Sequence, residues 1–196
     1  MKELTIQDIA NRPYLVDALA WPFDFSLRRR PDRAPWFRVT DAELMPIACD
    51  ASGGVFSLLS TPAISGGVLY VSSEGQAGVV GRDLREWLQI LLAVPLWVSV
   101  LHFSGGGVLE EMRRAVDYLN SDDPEPPDHW GAPRQLVTAA LDLPALSDPV
   151  GTLHRNVRDG QVVTVSAPDG WQCASLFGTF TVEDNPLWKR GGPTMG

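Results

Sequence analysis

Four short apolar segments divided by glycine-bearing turns fill the middle of the chain and restrict it to a sheet of closely connected strands. Leu44-Met45-Pro46-Ile47-Ala48-Cys49 is followed by Asp50-Ala51-Ser52-Gly53-Gly54, which has the residue types a hairpin turn needs, and Val55-Phe56-Ser57-Leu58-Leu59 returns. Ser65-Gly66-Gly67 leads into Val68-Leu69-Tyr70-Val71, and Glu74-Gly75 leads into Ala77-Gly78-Val79-Val80. Connections this tight leave no room for a crossover, so the strands are expected to form an antiparallel meander.

Helical spacing takes over beyond the fourth segment. Asp83 stands where an N-cap belongs, and Leu84, Trp87, Leu88, Leu91 and Leu92 share one stripe. No Asp, Glu, Lys or Arg occurs from Trp87 to Leu109, so this run imitates a membrane span. Gln89, Pro95 and Ser104-Gly105-Gly106-Gly107 interrupt it short of the roughly 20 apolar residues a span requires. A buried helix ended by Pro95, then a second buried segment, is the better reading, with no membrane role. Residues 108–120 predict another helix, with Leu109, Met112, Val116 and Leu119 inward and Glu110, Glu111, Arg113, Arg114 and Asp117 solvated.

Residues 3–20 have the pattern of an amphipathic helix interrupted by Pro13. Residues 21–38 read as an irregular edge segment, with Trp21, Phe23 and Phe25 anchored on the core and Arg28-Arg29-Arg30 solvated. Three Asp, one Glu and four Pro give residues 121–133 the composition of a linker. Beyond it, 134–141 is expected to be a short helix. Residues 161–165 and 172–177 are expected to be strands of a hairpin turning at Pro168-Asp169-Gly170, extending the central sheet or covering one edge. The expected architecture is α+β: a mixed, largely antiparallel sheet with helices mainly on one face. It is divided into a domain over 1–120, a linker over 121–133, an extension over 134–188 and a frayed tail over 189–196.

The 16 basic and 24 acidic side chains leave a net charge of −8. Such a chain is repelled by nucleic-acid backbones and anionic lipid and attracts basic partners. Cys49 and Cys173 are expected to be reduced, largely buried thiols. With no apolar run of signal-peptide length at the N-terminus, a cytoplasmic protein is expected.

The chemistry-bearing residues form no recognisable catalytic pattern. G-x-S-x-G, the Walker-type glycine loop, H-E-x-x-H and C-x-x-C are all missing. His102, His129 and His154 have no ligand spacing, so no metal, cofactor or catalytic residue is assigned and a non-enzymatic role is expected. The nearest nucleophile arrangement is His102 with Ser104, which keeps a small hydrolase as a third possibility. Of the seven tryptophans, Trp87 and Trp97 lie in apolar segments and read as core. Trp36, Trp130 and Trp188 sit in polar or Pro-rich contexts and are candidates for exposed anchors, although covering the core edge is the more ordinary use of each.

Residues 44–103 resemble the SUKH superfamily. The features that carry the resemblance are Pro46 leading a strand, Asp50 with Gly53-Gly54 in the turn, Phe56 and Tyr70 on the following strands, Glu74-Gly75, and Asp83 opening a helix with Trp87-Leu88. The resemblance implies an α+β domain without cofactor or catalytic residue. It implies an immunity-type protein that neutralises a polymorphic toxin by direct binding, or alternatively a regulatory or scaffold protein of the same fold. The partner-binding candidates are Asp50, Glu74, Asp83, Asp122, Asp123, Glu125, Trp36 and Trp130, facing a basic protein such as a toxin domain.

Overall fold

In a computed structural model the described residues are 3–29, 36–61, 64–121 and 129–184. The central sheet is built from β2 (Glu43–Cys49), β3 (Val55–Ser60), β4 (Ser65–Val71) and β5 (Gln76–Gly81), each antiparallel to the next. A short fifth strand, β7 (Ala174–Ser175), joins the β5 edge in parallel, which makes the sheet mixed. The meander follows the glycine turns at Gly53-Gly54 and Gly75. Ser65-Gly66-Gly67, expected to be a turn, instead belongs to β4, and the β3–β4 reversal comes before it, where the Thr61 N–H donates to the Ile64 carbonyl. Gly53 and Gly75 both hold positive φ (95° and 81°), a conformation L side chains rarely adopt.

Alternation along the strands sends successive side chains to two cores. Phe56, Val68, Tyr70 and Val80 face the helices, while Val55, Leu59, Leu69, Val71 and Val79 face away from them. The helical layer includes α1 (Ile6–Ala10), α2 (Pro13–Ala20), α3 (Leu84–Ala93), α4 (Trp97–His102), α5 (Leu109–Ser121), α6 (Gly131–Leu141) and α7 (Pro149–Asp159). The second face is covered by a two-stranded piece, β1 (Arg38–Val39) with β6 (Val165–Ser166), together with Phe37 and Val163. Burial on both faces explains why these strands are apolar almost throughout. The molecule is of the α+β class.

Local chemistry accounts for the helix boundaries. Thr5 and Asp8 form a reciprocal capping box on α1, and Pro13 opens α2 at its first turn, where its missing N–H costs nothing. The Asp83 carboxylate accepts from the Glu86 N–H at 2.8 Å, as the N-cap reading predicts. No described helix is long and apolar enough to cross a membrane; the charge-free run is divided between α3 and α4 at Pro95.

Three further expectations need correction. Trp21 does not anchor on the core; it is 74% exposed, whereas Phe23 and Phe25 are buried as expected. The C-terminal reversal is present but shorter than expected. Ala167 donates to Trp171 and Cys173 to Val165, residues 160–162 are a 3-10 turn, and the two arms diverge to different sheets. Finally, residues 142–160 hold α7, a helix absent from the sequence reading. Its Leu153 and Val157, with Leu176, enter the same hydrophobic cluster as Ile9 and Phe56, so side chains from both sides of residues 121–133 share one core. Residues 122–128 and the tail lie outside the described residues, as does Trp188.

Candidate functional site

At the end of the sheet where the β2–β3 and β4–β5 turns meet, a partly open cavity of about 390 Å³ lies against α4. Tyr70, Glu74, Trp97, Val98, His102 and Phe103 contribute to its walls. The floor is rigid because it belongs to an aromatic stack. Tyr70 and Trp97 meet edge to face with centroids 5.0 Å apart, and Trp97 meets Trp87 at 5.1 Å in the same manner. These rings fix the position of α4, whose other side faces outward, leaving Val98 exposed and His102 stacked parallel to Phe180 at 5.5 Å.

The turn on one side of the cavity is held by Asp50. One of its carboxylate oxygens accepts from the Gly54 N–H (2.8 Å) and the Ser52 hydroxyl (2.7 Å), and the other accepts from the Tyr70 hydroxyl at 2.5 Å. Asp24 supports the same turn by accepting from the Ala51 N–H. Burial, joined by the nearby Asp50 charge, moves the Asp24 pKa up, and the Ala51 N–H and Arg29 oppose the shift. Burial and the Asp50 hydrogen bond drive the Tyr70 phenol far above its ordinary range, so it stays a neutral donor.

Glu74 projects from the second turn and is exposed. Over the neighbouring Gly75 lies the Trp171 ring, so close that a Cβ there would collide with it. Trp171 and Phe180 are about half exposed, at 50% and 51%. The Ala174 N–H donates to the Gly75 carbonyl, and Gly105 donates to Phe180, which fasten the C-terminal segment to this end of the sheet. The result is one acid at the mouth of an aromatic cavity, with exposed apolar groups around it. A cationic side chain entering there would meet a carboxylate and ring faces together.

The remaining candidates disperse. Asp50 is 8% exposed, and both of its carboxylate oxygens are engaged in holding the turn and Tyr70. Asp83 lies beyond the far end of β5, about 17 Å of strand from Glu74, and caps α3. Trp36 is exposed and packs edge-on to Phe37; Trp130 is half-buried against the main core. Asp122, Asp123 and Glu125 fall outside the described residues. Val98 of α4, Trp171 and Phe180 escaped the sequence reading, because Val98 lies in a charge-free run that reads as buried throughout and Trp171 and Phe180 lie outside helices and strands, with no apolar period to mark them.

Ser104, the candidate nucleophile, is fully buried. Its hydroxyl donates to the Gly178 carbonyl and accepts from the Gly107 N–H, so it serves the glycine turn. His154 is buried as well, with Nε2 2.8 Å from the Gly107 carbonyl. No group of three or more metal-binding side chains occurs among the described residues. Both cysteines are free, and burial raises each thiol's pKa.

No family model, curated protein or solved structure matches the chain.

Proposed function

We propose that the chain is an immunity-type binding protein that neutralises a basic toxin domain by occluding it, using the sheet-end cavity as its contact surface. The observation that carries this reading is Glu74 on an aromatic-floored cavity lined by Val98, with Phe180 stacked on His102 of its wall and Trp171 over Gly75 beside Glu74. Interfaces draw most of their affinity from such aromatic anchors and their selectivity from complementary charge. The net charge of −8 favours encounter with a cationic partner, and the resemblance of residues 44–103 to the SUKH superfamily supplies the role.

The test begins with affinity capture from the native cell, followed by measurement of the captured partner's activity with and without this chain. A basic toxin domain inhibited at one-to-one stoichiometry is expected. Glu74→Lys is expected to weaken that complex about tenfold or more and to flatten its salt dependence. A partner whose activity persists at saturating chain would overturn the reading. Unchanged affinity of Glu74→Lys would place the contact elsewhere on the molecule.

A further inference from the structure

Pro95 interrupts the charge-free run, and between the end of α3 and the start of α4 it leaves a hollow of about 410 Å³. That volume falls within the roughly 300–1,000 Å³ that hold small ligands. One wall is the α3–α4 junction with Val94 and Val100, and the other is formed by Val116 and Leu119 of α5 with Trp130 before α6. A second trough of about 560 Å³ runs on past Leu92, Leu143 and Leu146, and Ala93 and Arg134 line both spaces.

Arg134 thus stands at the junction of two apolar hollows. Its Nε is buried with no hydrogen-bond partner, and it forms no ion pair with a carboxylate of the described residues. The Trp130 indole N–H, in the same wall, is a second buried donor without an acceptor. Both belong to the opening turn of α6, which has no side-chain cap and so adds the positive end of a helix dipole. Donors and positive charge converge here, and no carboxylate of the described residues pairs with Arg134. A buried N–H without an acceptor costs free energy that an incoming anion would recover.

We infer that this hollow is a binding site for an anionic amphiphile of the fatty-carboxylate class. The carboxylate sits on Arg134 and the alkyl tail lies along Val94, Val100, Val116 and Leu119. The site is separate from the Glu74 cavity, whose lining residues it does not share, and does not depend on the toxin-binding reading.

Titration of the full chain with decanoate, and with decanol as its uncharged counterpart, tests this by calorimetry and tryptophan fluorescence. Saturable one-to-one binding of decanoate is expected, with decanol at least tenfold weaker. Arg134→Gln is expected to lower decanoate affinity at least tenfold while leaving decanol unchanged. Ala93→Trp, at an exposed rim position, is expected to block both probes without disturbing the core. Thermal unfolding of each variant confirms that it folds, and Ala93→Trp carries the test if Arg134→Gln does not. Absence of saturable binding, equal affinity for the two probes, or binding indifferent to a folded Arg134→Gln and to Ala93→Trp would each overturn the inference.

Discussion

Asp50 is the residue through which turn, core and surface are joined. Its carboxylate closes the β2–β3 turn and holds the Tyr70 hydroxyl, and Tyr70 in turn packs against Phe56 and Trp97. Tyr70→Phe keeps the packing but leaves a buried carboxylate oxygen without its donor. It is expected to cost about 1.5–3 kcal/mol, read by urea unfolding. The same pair sets an alkaline limit. The folded-state pKa of Tyr70 lies far above the ordinary value of about 10 that it regains on unfolding. The stability it contributes is therefore complete below pH ~10 and falls as pH rises beyond it, because only the unfolded chain releases the proton. Unfolding measured from pH 9 to 11 should show this decline in the wild type and a weaker one in Tyr70→Phe; parallel curves would count against the buried hydrogen bond. The sequence already pointed to Asp50 as a turn-forming residue, since Asp before Gly-Gly has that chemistry. Its bond to Tyr70, 20 residues away, depends on register and could not be read from the turn.

Among the elements, α7 shows best where sequence reading stops. Its buried side includes Gly151, Thr152, His154 and Asn156 beside Leu153 and Val157, so small and polar residues stand where an apolar stripe would announce a helix. Those polar groups are buried because each has a partner. The Asn156 amide donates to the Glu86 carboxylate at 2.8 Å, and Glu86 also accepts from the Arg82 backbone and guanidinium at 3.0 and 2.9 Å. Burial alone would raise the Glu86 pKa, but these donors outweigh it and hold the group below its usual range. Glu86 therefore contributes stability that is present above pH ~4.3 and is lost as pH falls through the depressed folded value. Asn156→Leu removes one donor and is expected to cost about 1–3 kcal/mol at neutral pH, with a smaller difference from wild type once Glu86 is protonated. Acid unfolding followed by circular dichroism decides it; a constant difference down to pH 2 would show that Asn156 acts through packing alone. By contrast, β2 to β5 and α3 were legible because turn glycines and an unbroken stripe of large apolar residues reported directly on their burial.

At the scale of the whole molecule, the acidic, proline-rich segment at 121–133 has the composition of a boundary, yet the core takes no notice of it. Leu153, Val157 and Leu176 pack in one cluster with residues contributed by the first turns of the chain, and β7 pairs with β5, the last strand of the meander. Composition records how a segment meets water; it does not record whether the chains on either side of that segment share an interior. The consequence can be measured on a chain ending at Asp148. That truncation strips Val150, Leu153, Val157 and Leu176 from the core and uncovers the β5 edge. Each such side chain contributes roughly 1.5–3 kcal/mol when buried, so the four together match the ~5–15 kcal/mol by which a domain is stable. The truncated chain is expected to lose its cooperative unfolding transition and to expose apolar surface, read by calorimetry and dye binding. It should also lose the proposed contact surface, because Trp171 and Phe180 leave with the deleted segment. A sharp transition near the full-length midpoint would mean that residues 1–148 are an autonomous unit and that the C-terminal part is, as its composition implies, an appendage.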